Sequence, residues 1–274
     1  METVGPVISS VHNQWVKYAR SLHRRSARSS ERAFLVEGPR LVADALAAGA
    51  VPRVIFHDPA NASASTVQSV ADAENRGARV VRVTPVVMRA LADTETPQGF
   101  IAVFPIPELP ITIPSGVEPL YLVVDAIRDP GNLGTLIRSA AAVSAHAVFV
   151  APGTTDPFAP KVVRAGMGAH FRLPLRQLDW TRPEPAMVSC GQRLAAEAGG
   201  SVVYDSVDWR RASCLIVGNE ASGLSGAARA FATESVSIPL GSDVESLNAA
   251  VAGSVLLFEA ARQRRRQELR PTAD

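Results

Sequence analysis

The sequence is poor in cysteine, poor in aromatic residues and almost free of net charge. Its 274 residues include two cysteines, Cys190 and Cys214. Neither belongs to a Cys-x-x-Cys pair or a Cys/His cluster, so the sequence offers no zinc site of the usual spacing and no other metal site. Two cysteines cannot build a disulfide framework either, as expected of a chain in a reducing cytoplasm. Aromatics are 5% of residues, too few for base stacking to be the main mode of nucleic-acid binding. The opening stretch METVGPVISSVHNQW has no apolar signal core. No apolar run spans a bilayer. The longest candidate, 247–257, is short and rich in Ala and Gly, and reads as a buried helix. A GxGxxG fingerprint and a P-loop are both missing, which argues against a dehydrogenase or a nucleotide hydrolase.

What is present describes a globular chain. Hydrophobic residues are 47% and charged residues 20%, enough to fill a core. The net charge is only +2, but the cations are unevenly placed. Lys17, Arg20, Arg24, Arg25, Arg28 and Arg32 stand near the single acid Glu31, and Arg262, Arg264, Arg265, Arg266 and Arg270 lie near the other end. Such segments are either a local polyanion site or solvated helix faces.

The stretch PIPELPITIPSGVEP carries Pro105, Pro107, Pro110, Pro114 and Pro119, which exclude a helix and mark a stiff linker. It divides the chain into 1–106, a linker over 107–118, and 119–270. Before it, helix and strand patterns alternate: a basic helix over 12–28, strands at AFLVEG, VPRVIFH, ARVVRV and GFIAVF, and helices between them. That is the pattern of a small α/β sandwich. After the linker, LYLVVDAI and AHAVFVA are apolar runs of the kind buried in a parallel sheet. CLIVG and SVSIPL read as further strands. A last helix, from 247 to about 266, is apolar first and basic later.

Three glycine-bearing turns carry the chemistry. In DAIRDPGNLGTLIRSA a strand runs into a Pro-Gly-Asn turn and a helix opens at once, where backbone can approach a ligand closely. Asn132 and Arg138 lie six residues apart, so the helix does not stack them directly, but they converge if Asn132 sits in the turn and Arg138 leans back toward it; otherwise Asn132 is an N-cap and Arg138 a surface residue. In LIVGNEASGLS, Glu220 follows a strand end, the place where ligands of open α/β sheets collect. It could equally cap the next helix. In IPLGSDVESLNAAVAGSVLLFEAARQ, Ser246 and Asn248 flank Leu247 in what looks like capping chemistry, and the small residues after them permit close helix packing.

Together these stretches resemble the three motifs of the SpoU (TrmH) family of RNA ribose methyltransferases, in the SPOUT superfamily. DPGNLGTLIRSA is similar to motif one, LIVGNEASGLS to motif two and IPLGSDVESLNAAVA to motif three. PKVVRAGMGAHFRLP also resembles the family's pattern. FLVEGPRLVADALAAG and TPQGFIAVF resemble its L30e-like substrate-binding domain, so the likeness covers nearly the whole chain. Three positions depart from it: Ala142-Val143-Ser144-Ala145 has no Gly after the first motif's helix, Gly166 stands where Ser is frequent, and Ala221 replaces a common Gly.

The resemblance implies an α/β fold: a SPOUT domain with a deep trefoil knot, preceded by the small α/β domain. It implies a homodimer that methylates a ribose 2′-hydroxyl of ribosomal or transfer RNA in the cytoplasm, with S-adenosylmethionine as cofactor. Cofactor contacts fall by position on Leu215, Val217, Gly218, Asn219, Gly223, Leu224, Ile238, Leu240, Leu247, Asn248 and Ala249. The catalytic set is Asn132, Arg138, Glu220, Ser246 and Asn248. Arg138 is the implied general base, although a guanidinium with a pKa above about 12 does not readily give up its proton. It either acts with help from an RNA phosphate or clamps that phosphate. Lys17, Arg20, Arg24, Arg25 and Arg28 would bind RNA with the N-terminal domain. The alternative is a non-catalytic RNA-binding protein that keeps the knotted fold. A degenerate copy of that kind should have lost part of the polar set, and all five residues are present.

Overall fold

The computed structural model describes residues 6–241 and 243–268, with side chains as far as Arg265. Arg270 and the side chain of Arg266 lie outside the described residues. The chain forms two compact units, Met1–Pro107 with Phe158–Phe171, and Glu108–Pro157 with Arg172–Asp274.

The first unit begins with α1 (Gln14–Ser21), started by Asn13, whose side chain accepts the Trp15 amide. Next comes α2 (Arg25–Glu31). The single basic helix expected over 12–28 is therefore two, broken at 22–24. Arg28 explains the break. Its guanidinium donates to the carbonyl oxygens of Leu22 at 2.7 Å and His23 at 2.9 Å, which the helix would otherwise leave open.

The unit continues through β1 (Ala33–Glu37), α3 (Pro39–Ala47), β2 (Val54–His57), α4 (Ala64–Asn75), β3 (Arg79–Arg82), α5 (Pro85–Leu91) and β4 (Phe100–Pro105). Among the described residues its sheet runs β1-β4-β2-β3, with β4 antiparallel to both neighbours and β2 parallel to β3. Alternate residues of each strand serve opposite faces. Leu35, Phe56 and Ile101 join one apolar cluster, while Phe34, Ile55 and Phe104 join the other.

In the second unit β5 (Leu120–Val124) leads into α6 (Pro130–Ala142) and β6 (Ala147–Val150). Ser144 takes the left-handed turn after α6, at φ 57°, which is the conformation that favours Gly there. The chain then re-enters the first unit as Phe158–Phe171, with α7 (Pro160–Gly166). Phe158, Val163 and Phe171 pack into that unit's second cluster. Gly166 is required by its neighbour, since a Cβ there would stand 2.6 Å from the His170 ring.

The second unit resumes with β7 (Leu175–Gln177), α8 (Pro185–Val188), β8 (Gln192–Ala196), β9 (Val202–Val203) and β10 (Ser213–Val217). It ends with α9 (Gly226–Phe231), β11 (Glu234–Ser237) and α10 (Ala249–Glu268). Its sheet has the order β7-β6-β5-β10-β8-β11-β9, and every pairing is parallel. The apolar runs of β5, β6 and β10 are buried along their length, as central parallel strands require. Helix α10 lies close to α6 because Gly253 lacks a Cβ; one there would meet Leu136 at 2.5 Å.

The basic end of α10 is partly structural. Arg264 donates to the carbonyl oxygens of Trp209 at 2.9 Å, Arg211 at 2.9 Å and Pro119 at 3.1 Å, and also to that of Glu118. Arg262 pairs with Glu259 at 2.6 Å. Arg264→Ala should cost roughly 3 kcal/mol, because several carbonyls lose a charged donor at once. Thermal unfolding of the variant measures this; a midpoint equal to that of the parent chain would refute it.

Candidate active site

Three parallel strands deliver the site. β8, β10 and β11 end side by side, and a cleft of about 260 Å³ opens at their carboxyl ends, where open α/β sheets gather ligands. Val217, Gly218, Asn219, Glu220 and Gly223 line it from the end of β10. Ile238 and Leu240 line it beyond β11. Ser246, Leu247 and Ala249 line it at the start of α10. Thus most of the residues expected at a cofactor share one cleft. Leu215, Leu224 and Asn248 do not line it; the Asn248 side chain bonds instead to Asn132 and to the Ala250 amide. Leu215 is fully buried inside β10 and Leu224 packs in the core with Tyr121 and Phe149.

The loop after β10 is held in one shape. Asn219 and Gly223 exchange backbone hydrogen bonds of 3.1 and 2.8 Å. The Asn219 side-chain oxygen accepts from the amides of Ala221 at 3.0 Å and Ser222 at 3.1 Å. Its amide nitrogen donates to the Ala126 carbonyl at 3.2 Å. Gly223 sits at φ +68°, and a Cβ on Gly218 would stand 2.7 Å from the Gly223 backbone. Asp125, fully buried, accepts the Ser225 amide at 2.6 Å and so anchors the far end of the loop. Sequence reasoning missed Asp125. The available signal was a carboxylate directly after an apolar strand, the same signal that pointed to Glu220.

The three motifs meet in a hydrogen-bonded relay. The Asn132 amide nitrogen donates to the Glu220 carboxylate. The Asn132 oxygen accepts from the Asn248 amide at 3.0 Å. The Asn248 oxygen in turn accepts the Ala250 amide at 2.9 Å, capping α10. Because a carboxylate only accepts, Glu220 fixes the orientation of both amides in turn. Asp129 caps α6 by accepting the Asn132 amide at 2.8 Å, which sets the start of the relay.

Two residues of the expected catalytic set stand apart from this relay. Ser246 is exposed on the cleft wall, and among the described residues it bonds to no member of the relay. Arg138 is exposed on α6 and has no hydrogen-bond or ion-pair partner among the described residues. Six residues turn a helix by about 600°, which carries Arg138 away from Asn132.

Lys17, Arg20, Arg24 and Arg25 are exposed on or beside α1 and α2. Arg28 is not: it is buried, with its guanidinium on the carbonyls between the helices. It therefore cannot serve as an RNA contact. The thiols are also withdrawn from chemistry. Both are free and buried, and burial pushes Cys190 up to about 11 and Cys214 further. Among the described residues no His/Cys/Asp/Glu group could hold a metal ion.

A ligand suited to this cleft has an apolar body for Val217, Ile238, Leu240 and Leu247. It also needs polar edges for the glycine-loop backbone. Residues 119–258 match the SpoU rRNA Methylase family, and residues 13–102 match the MRM3-like substrate binding domain. The chain belongs to the SpoU family. Among relatives of this SpoU chain is the 23S rRNA (guanosine(2553)-2′-O)-methyltransferase RlmP of Bacillus subtilis, 32% identical over 92% of this chain and 97% of that protein. Human mitochondrial rRNA methyltransferase 3 is 31% identical over 88% of this chain and 70% of its own. An AdoMet-bound rRNA methyltransferase from Sinorhizobium meliloti superposes with a TM-score of 0.81, at 32% identity, covering 94% of this chain and 97% of that one.

Proposed function

We propose that this chain transfers a methyl group from S-adenosylmethionine to a ribose 2′-hydroxyl of ribosomal RNA. The observation that carries this reading is the Glu220–Asn132–Asn248 relay at the edge of the cleft, which joins all three family motifs in one polar cluster. A degenerate RNA binder would have no use for an intact relay. Ribosomal RNA is favoured over transfer RNA by the Bacillus relative, which matches this chain nearly end to end.

The residues present suit the cofactor. Gly218, Gly223 and Ala249 give it close backbone approach, and Leu247, Ile238 and Leu240 give an apolar wall. Bound there, S-adenosylmethionine supplies an activated methyl group on a sulfonium. The chain must then hold the ribose in line, a contribution of roughly 7–11 kcal/mol when alignment is good. Asn132 and Glu220 orient the hydroxyl, Asn248 keeps Asn132 in register, and Arg138 either helps the 2′-hydroxyl proton leave as the methyl group arrives or clamps the RNA phosphate beside the reacting ribose while the proton passes to water.

We also read the chain as a knotted homodimer of the reducing cytoplasm. Val251 and Phe258, two turns apart on α10, are each 50% exposed; a second copy covering them would remove that apolar stripe from water. Among the described residues no helix is long and apolar enough to cross a membrane.

Nucleoside mass spectrometry after incubation with S-adenosylmethionine and unmodified ribosomal or transfer RNA tests the reaction. A 2′-O-methylated nucleoside in the ribosomal pool is expected. Methylation in the transfer RNA pool alone would overturn the substrate, and no transfer to either would overturn the reaction. For binding, replacing Lys17, Arg20, Arg24 and Arg25 together by Gln should weaken RNA affinity. It should also reduce the slope of log affinity against log salt by about 3–4, at roughly 0.9 per phosphate contact. Arg28→Gln should lower the unfolding midpoint and leave that slope unchanged. An unchanged slope in the fourfold variant removes these cations from the interface.

A further inference from the structure

The cleft holds an ion pair that the relay does not use. Arg229 on α9 and Glu197 at the end of β8 both line it, and the Arg229 Nε donates to the Glu197 carboxylate at 2.8 Å. Their side chains are 57% and 32% exposed. An exposed pair of this kind adds little to stability, so the fold alone gives no reason for its place on a cleft wall. The guanidinium is gripped only through Nε. Its two terminal nitrogens have no partner among the described residues. One of them lies 3.3 Å from where a Cβ of Gly223 would stand. Arg229 therefore reaches over the glycine loop, where an anionic group of a bound ligand could meet two parallel N–H donors.

Charge on the walls narrows what that group is. Among the described residues the charged ones lining the cleft are Glu197, Glu220 and Arg229, and Glu220 already accepts from Asn132. S-adenosylmethionine carries a sulfonium, an ammonium and one carboxylate. Among the described residues the cofactor's own carboxylate has a single cationic partner on these walls, Arg229.

We propose that Arg229 receives the carboxylate of the cofactor's amino-acid moiety, and that Glu197 is the positioning residue that holds the guanidinium towards it. This rests on the cofactor reading given above. The sequence surroundings, GLSGAARAF and LAAEAGG, gave no hint of the pair, because its members lie 32 residues apart and meet only through the sheet.

Calorimetry with two ligands isolates the contact: S-adenosylhomocysteine, which has the carboxylate, and 5′-deoxy-5′-methylthioadenosine, which lacks the whole amino-acid moiety. Arg229→Gln should bind S-adenosylhomocysteine about tenfold more weakly, the size of one lost charge-assisted hydrogen bond, and should bind methylthioadenosine as the parent chain does. Glu197→Gln should give the same selective pattern with a smaller loss. Retained methylthioadenosine binding doubles as proof that each variant is folded. Equal loss on both ligands, or no loss on either, overturns the assignment. If the parent chain binds neither ligand, the cofactor reading falls and this proposal falls with it.

Discussion

Arg138→Ala is expected to lower methyl transfer at least about a hundredfold while leaving cofactor affinity and unfolding midpoint within error. The stability half follows from its surroundings. Arg138 is exposed and bonds to nothing among the described residues, and such surface substitutions stay within roughly 0.5 kcal/mol. The activity half follows from chemistry. Removing a positioned charge or proton-transfer group at a reacting centre typically costs about 10²–10⁴ in rate. The relay residues cannot stand in for it, because Asn132 and Asn248 are neutral amides and Glu220 is already engaged. The kinetic split then separates the two roles open to a guanidinium. A phosphate clamp loses most in KM for RNA, whereas a group that helps the proton leave loses most in kcat. Activity near that of the parent chain would remove Arg138 from the mechanism.

Gly218→Ala should abolish measurable cofactor binding. Gly218 has an ordinary negative φ, so the effect is steric rather than conformational. The new Cβ would stand 2.7 Å from the Gly223 carbonyl group and 2.8 Å from the Leu224 nitrogen. Those are backbone atoms, tied down by the Asn219–Gly223 bonds and by Asp125 on Ser225, and they have no rotamer to yield. The loop must open, and the cleft loses one wall. Overpacking of this kind costs roughly 1–3 kcal/mol, a fall in midpoint of a few degrees for a chain of this size. Gly226→Ala is the matched control, since a Cβ there meets nothing within 4 Å. Calorimetry with S-adenosylhomocysteine on both variants decides the matter: equal affinities would show that the loop tolerates the methyl group.

The sequence made some of this legible and hid the rest for physical reasons. Buried parallel strands such as LYLVV and CLIV announce themselves, because both faces must be apolar. β8 does not. Its QRLAA carries an arginine whose guanidinium donates to the carbonyls of Phe231 and Cys190 and lies over the Phe231 ring, an environment no local pattern encodes. Arg28 shows the same limit. In sequence it is one more cation in a basic run, and only the carbonyls at the break between two helices make it internal. Within the site, capping chemistry at Asn248 was readable from Ser-Leu-Asn. Its bond to Asn132, 116 residues away, was reachable only through resemblance to a family. Arg229 and Glu197 lie outside every motif, 32 residues apart, and meet only in the folded sheet.

The excursion of Phe158–Phe171 has a consequence for biosynthesis. The first unit cannot complete its second apolar cluster from its own leading residues, because Phe158, Val163 and Phe171 belong to it. On the ribosome, α3 and α4 can cover most of that face early, but the part of the cluster filled by Phe158, Val163 and Phe171 stays unfilled until residue 171 has cleared the exit tunnel. By then β5, α6 and β6 of the other unit have already emerged. The units are thus interleaved in time as well as in sequence, and a nascent chain that has emerged only as far as 108–157 should be more open to protease than one from which residue 171 has also emerged.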